Sequence, residues 1–200
     1  AIIPLSDSAY LARNTDAHSA DRIRKQGPLE FFNRAVLERE GDIFITEGEF
    51  DALSLETLGF AALSLGGCGN ARHFVELLRS RQASRGVHLR QMFYVCLDSD
   101  EAGREAAALL LQGLRHLGLR CCSIDLAFPF KDINEALCHY PEGLRDCLQH
   151  LDERLAYRLL PLPAPRAPRP LLQPEDFTEL TQHTGKEIPL YPAVIRYQDL

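Results

Sequence analysis

Five carboxylates fall just beyond short apolar runs in this 200-residue sequence. Glu47 and Gly48 follow IFIT, Asp51 comes one helical turn after Glu47, Asp98 and Asp100 follow MFYVCL within DSD, and Asp132 stands behind Lys131 in the loop beyond SIDL. Carboxylates brought together repel one another, and a bound divalent cation relieves that repulsion. An all-oxygen donor set selects Mg²⁺ or Mn²⁺ rather than zinc. Taken singly, each feature has a simpler explanation. Asp-x-Asp after a strand suits a helix N-cap, Glu-Gly and the cluster Gly66, Gly67 and Gly69 suit turns, and Lys-Asp suits a surface pair. The conjunction points further, because every feature falls at the same end of successive strands.

The elements that must deliver these residues follow from the apolar pattern. Strands are predicted at residues 43–46, 61–65, 92–97 and 120–126. Helices are predicted at 51–58, closed by Gly59, at 71–81, and at 104–117. This alternation predicts an α/β fold, a parallel sheet of about four strands flanked by helices, with a small N-terminal α+β subdomain. Ligands of such sheets bind beyond the carboxyl ends of the strands, where Glu47, Asp51, Asp98, Asp100 and Asp132 lie. Residues 1–40 read as that subdomain, with short strands and a helix over 29–39. Residues 41–140 form the expected catalytic domain and 141–160 an amphipathic C-terminal helix. Residues 161–174 are a proline-rich linker opening with PLPAPRAPRP, and 175–200 read as the start of a further, truncated domain.

With 46% apolar and 25% charged residues, the composition is that of a globular protein. A formal charge of −6 argues against nonspecific coating of nucleic acid, so any such contact must be local. No run approaches a membrane span, and AIIPLSDSAY lacks the pattern of a signal peptide, so a cytoplasmic location is expected, with no membrane partner. The six cysteines lack the two-residue spacing of zinc sites and read as small buried hydrophobes.

FITEGEFDAL, SLGG, LDSDEAGREAA and KDINEAL together resemble the TOPRIM domain shared by bacterial-type primases, type IA and type II topoisomerases, OLD-family nucleases and recombination-repair proteins. The resemblance covers about residues 41–137 and is closest to the primase form, in which the aspartate matching Asp51 joins the metal site. It implies that Glu47 is the general acid or base, that Asp98 and Asp100 bind metal, and that Lys131 and Asp132 match the primase lysine-aspartate pair. Gly48, Gly66, Gly67 and Gly103 become structural glycines, Gly103 allowing a tight turn before Arg104. The segment ARNTDAHSADRIRKQGPLEFFN is similar to the stretch preceding TOPRIM in primases, which implies that Arg13, Arg22, Arg24 and Lys25 face template or nucleotide phosphates. A second basic cluster, Arg72, Arg79, Arg81, Arg85 and Arg90, is placed to guide single-stranded DNA or to be a solvated helix face.

The last residues, PEDFTELTQHTGKEIPLYPAVIRYQDL, resemble the entry segment of helicases fused to phage and mobile-element primases. No phosphate loop accompanies it, so no ATPase activity is expected of this chain. The implied function is a primase of a primase-helicase: nucleotidyl transfer with two or more Mg²⁺ or Mn²⁺ ions, joining ribonucleoside triphosphates on single-stranded DNA beside a helicase domain or partner. Two alternatives stand beside it. One is a nuclease of the OLD type; the other is a non-catalytic platform that binds nucleic acid or a helicase. A topoisomerase is disfavoured, since the six tyrosines are scattered without the context of a nucleophile.

Overall fold

The computed structural model describes residues 1–16, 23–85 and 91–151. Strands β1 (Ile2–Ser6), β2 (Ala9–Arg13) and β3 (Ile23–Gln26) form an antiparallel meander. The second sheet is parallel throughout and contains β4 (Ile43–Thr46), β5 (Ala62–Ser64), β6 (Met92–Cys96) and β7 (Arg120–Ser123) in the spatial order β5-β4-β6-β7. Between and after them run the helices α1 (Glu49–Thr57), α2 (Ala71–Arg85), α3 (Glu101–His116), α4 (Ile133–His139) and α5 (Pro141–Gln149). Both sheets belong to one compact unit, Ala1–Glu153.

The apolar runs form central strands because both of their faces are covered. Ile43, Ile45, Leu63, Phe93 and Val95 share one cluster with Phe74 and Leu78 of α2 and Leu110 and Leu114 of α3. Alternate residues turn the other way. There the Phe44 and Tyr94 rings lie 4.9 Å apart, and Phe60 meets Phe44 edge-on at 5.7 Å. Ala52 and Leu55 of α1 are also buried, and α1 packs on β4, β5 and α4. Full burial of a side chain such as Phe93 contributes about 1.5–3 kcal/mol, so the covered strands fix the scaffold of the rim.

Several boundaries differ from the sequence expectation. The helix expected over 29–39 is absent, and only a 3-10 turn at Arg34–Glu38 forms. Phe31 is drawn into the core, where its ring meets Phe74 at 5.2 Å, and Phe32 bridges to Ser64, which an α-helix over both residues would prevent. Strand β7 stops at Ser123, because Asp125 accepts the N–H groups of Ala127 and Phe128 and turns the chain. Helices α1 and α3 start earlier than expected, at Glu49 and Glu101. Helix α4 was not expected at all. Of the helix expected over 141–160, α5 occupies Pro141–Gln149; residues 152–160, the linker at 161–174 and the segment 175–200 lie outside the described residues. Among the described residues no helix is long and apolar enough to cross a membrane.

Candidate active site

Strands β4 and β6 are neighbours in register, with Thr46 beside Cys96. Their continuations place Glu47 and Asp98 at one edge of the sheet. The turn after β4 is fastened to the turn after β5: Glu47 O accepts from Ser64 Oγ at 3.0 Å and from Gly67 N at 3.1 Å. Gly66 N in turn donates to Ser64 Oγ at 2.9 Å. Gly66 and Gly67 have φ of +69° and +128°, conformations that other residues rarely adopt, so this turn requires glycine. Cys68 follows directly, and its thiol donates to Glu47 Oε2 at 2.8 Å. The thiol is pushed up to about 12 by burial, then by its bond to Glu47 and the charges of Glu47, Asp100 and Asp98. Sequence reasoning did not assign Cys68 to the site; its place right after the paired glycines was the available signal.

The aspartates do local work as well. Asp100 caps α3, accepting from Gly103 N at 2.8 Å, and Asp132 caps α4, accepting from Glu135 N at 2.8 Å. Asp51 is buried on α1 and accepts from Asn134 N at 3.0 Å, tying α1 to the start of α4. Its carboxyl is raised by burial first, and the charge of Asp132 adds to the rise; backbone bonds from Asn134, Gly48 and Ile133 oppose it. At Asp98 the leading influences all act in one direction. Its carboxyl is raised to about 6, by burial first and then by the charges of Glu47, Asp51, Asp132 and Asp100. The charges of the other four carboxylates thus all bear on Asp98. A depression at the rim is lined by Asp51, Asp98, Asp132 and Lys131, with Cys96, Ile124 and Ile133 beneath; Glu47 and Asp100 are not in its wall.

The donor set is oxygen-only and carries excess negative charge, which fits a hard divalent cation by chemistry. It does not form a closed cage: among the described residues no three carboxylate, thiol or imidazole groups converge at ligand spacing. The reason is visible in the bonds above, since Asp51, Asp100 and Asp132 are turned to backbone N–H groups and Glu47 to Cys68.

The glycines have distinct reasons. A Cβ on Gly103 would collide with the Asp98 carbonyl oxygen, so close approach of α3 to the DSD segment, rather than a tight turn, is what requires glycine there. A Cβ on Gly48 would stand 2.9 Å from Asp51 Oδ2.

The basic residues divide into those engaged within the chain and those left exposed. Arg13 lies over the Phe50 ring at 4.7 Å. Lys25 donates to the Gly66 carbonyl and stands 3.4 Å from Glu49, so both side chains contact the segments flanking Glu47. Arg104 donates to Ser99 O at 2.7 Å. Arg24 on β3 and Arg72 in the first turn of α2 are exposed. Arg79 pairs with Glu76 and Arg81 with Glu38, which neutralises part of the second basic cluster. Arg22, Arg90 and the side chain of Arg85 lie outside the described residues.

A parallel β5-β4-β6-β7 sheet with acidic residues beyond β4 and β6 defines a TOPRIM architecture, and residues 44–137 match the Toprim-like family model. Over this stretch the fold is that of a TOPRIM domain, and it is shared with solved bacterial-type primase structures. Among solved structures, the primase fragment of the bacteriophage T7 primase-helicase protein is similar with a TM-score of 0.51 and 22% identity, over 72% of this chain and 57% of that one. The zinc-binding and RNA polymerase domains of the Aquifex aeolicus primase give 0.51 and 19%, over 76% of this chain and 39% of that one. The RNA polymerase domain of the Mycobacterium tuberculosis primase, in complex with a double-stranded DNA oligomer with a 6-nucleotide overhang, gives 0.50 and 19%, over 74% and 52%. At these identities the likeness is one of fold, and this chain spans little more than half of the T7 fragment. Comparison with curated protein sequences finds no match.

Proposed function

We propose that this chain is the catalytic domain of a DNA primase, joining ribonucleoside triphosphates into RNA primers on a single-stranded DNA template. The observation that carries the reading is Asp98: half-buried at the carboxyl end of β6, it is raised to about 6, by burial first and then by the charges of four other carboxylates. A site that gathers excess negative charge at the ligand-binding edge of a parallel sheet is suited to divalent ions. Asp98 and Asp100, with Asp51, Asp132 and Glu47, would hold Mg²⁺ or Mn²⁺. Bound ions would supply activation of the attacking 3′-hydroxyl and stabilisation of the leaving pyrophosphate.

The chain's own residues supply the remainder. Glu47, held by the Cys68 thiol at 2.8 Å, is placed to take the hydroxyl proton. Lys131, on the wall of the depression, is placed to neutralise triphosphate charge. Exposed Arg24 and Arg72 offer phosphate contacts, which supply affinity without sequence information, and Arg104 orders the DSD segment through its bond to Ser99. The reading places the domain in the cytoplasm beside a helicase domain or partner, in keeping with the primase-helicase origin of the T7 fragment.

The test is calorimetric titration of Mg²⁺ and Mn²⁺ alongside incubation with single-stranded DNA and labelled ribonucleotides, for the wild type and for Asp98→Ala with Asp100→Ala. Metal binding and primer synthesis that both vanish in the double variant support the primase. Cleavage in place of synthesis makes the domain a nuclease, and absence of metal binding makes it a non-catalytic platform.

A further inference from the structure

Beyond the carboxylate rim lies an aromatic side chain that the mechanism does not use. Phe128 is 64% exposed. A single exposed apolar residue needs no explanation by itself. Position singles this one out: Leu126 and Ala127 before it and Lys131 and Asp132 after it all line the depression that contains Asp98. Phe128 is not itself part of that wall but stands on the loop that carries these four lining residues.

The backbone beneath the ring is held firmly. Asp125 Oδ1 accepts the N–H groups of Ala127 and Phe128, both at 3.1 Å, and Phe130 N donates to Ala127 O at 2.6 Å. The second oxygen of Asp125 accepts from the Ser99 hydroxyl at 3.0 Å, which ties the loop to the residue next to Asp98. The neighbouring aromatic, Phe130, is half-buried and stacks on His139 at 5.7 Å with an interplanar angle of 8°. Phe130 is thus already partnered, whereas Phe128 is presented to solvent from a fastened loop.

We propose that Phe128 is a stacking platform for an unpaired nucleobase, placed so that the phosphates of the same nucleotide or strand reach Lys131 and the carboxylate rim. Every base offers a π-face, so such a platform binds without sequence preference. The base belongs either to an incoming nucleotide or to the template strand, which present the same chemistry. The inference rests on the nucleic-acid reading above but not on catalysis.

The chain contains no tryptophan, so Phe128→Trp introduces a single fluorescent reporter at the ring itself. The full chain carrying it is titrated, in Mg²⁺, with a ribonucleoside triphosphate, a dA oligonucleotide, an abasic oligonucleotide of equal length and inorganic tripolyphosphate. Stacking predicts quenching by the triphosphate or the dA strand and none by the abasic strand or tripolyphosphate; which of the first two quenches identifies the source of the base. In parallel, Phe128→Ala binds the quenching ligand about five- to a hundredfold more weakly, the range expected for loss of one base–aromatic stack, and Phe128→Tyr restores it. Binding of the labelled dA strand with unchanged tryptophan emission and unchanged Phe128→Ala affinity overturns the platform and leaves the primase reading standing. A tryptophan shielded from acrylamide before any ligand is added also overturns it, because the ring is then covered by protein. Failure of the wild type to bind either nucleotide or strand overturns the nucleic-acid reading and the platform together.

Discussion

At Asp98, burial and four like charges oppose ionisation together. A carboxyl raised from an ordinary value near 4 to about 6 favours the protonated form in the folded state. Its contribution to stability is therefore greatest below about pH 4, falls as pH rises through about 6, and is constant above. Asp98→Asn removes the charge at nearly the same shape. It should be more stable than wild type by about 1 kcal/mol at pH 7, a figure discounted because the side chain is only half-buried, and equal to it near pH 4. Urea unfolding across that range checks this: a difference independent of pH would show that Asp98 is not strained by its neighbours. The same conflict shapes Cys68, whose thiol at about 12 carries almost no thiolate at neutral pH. Alkylation followed by mass spectrometry should therefore modify exposed Cys138 well before Cys68, and equal rates would mean that the Cys68–Glu47 bond is not maintained in solution.

The helices hold these residues by close approach, and the approach at α3 is the least forgiving. A methyl group on Gly103 has nowhere to go against the Asp98 carbonyl, so Gly103→Ala should cost about 2 kcal/mol through displacement of α3 or of the DSD segment. A fall in Tm of several degrees accompanied by loss of metal binding is the expected pair of readouts; an unchanged Tm would mean that the two segments do not touch. At this scale much was legible in the sequence. IFIT, AALSL and MFYVCL each combine a continuous apolar run with flanking turn residues, and each is a buried parallel strand. Residues 29–39 were not legible, because Leu29, Phe31, Phe32, Val36 and Leu37 have spacing compatible with a helix while their real partners, Phe74 and Ser64, lie far along the chain. Helix α4 was missed because seven residues give too little periodicity, and its start, Lys131-Asp132, was read for chemistry rather than for capping. The acidic residues were found by the strand-end rule, and the N-cap that Asp-x-Asp suits is realised at Asp100, but nothing local revealed that Asp51 and Asp132 would also bind backbone N–H groups.

Across the whole molecule, the N-terminal sheet is joined to the TOPRIM domain by side chains whose spacing in sequence hides their meeting. Lys25 on β3 reaches the Gly66 carbonyl and the Glu49 carboxylate, and Arg13 on β2 covers the Phe50 ring, so two of the cations expected to face phosphates contact the turn and helix beside Glu47. The Glu49 side chain is 9% exposed and the Lys25 side chain 43%, which makes the pair neither a free surface bridge nor a fully buried one. Loss of Lys25 leaves the Gly66 carbonyl without this donor and the enclosed carboxylate without its counter-charge. Lys25→Met should therefore cost about 1–2 kcal/mol, and Glu49→Gln in the same background should recover part of that cost. A double-mutant cycle measured by urea unfolding is expected to return a coupling of about 1 kcal/mol that persists in 0.5 M salt, because a half-enclosed pair is screened less than an exposed one. Additive effects would mean that the N-terminal sheet packs on the domain without this contact. With coupling present, hydrogen exchange in β2 and β3 should quicken in Lys25→Met, since the strand loses its tie to the Gly66 turn, while exchange in β4 and β6, enclosed between α1, α2 and α3, stays slow.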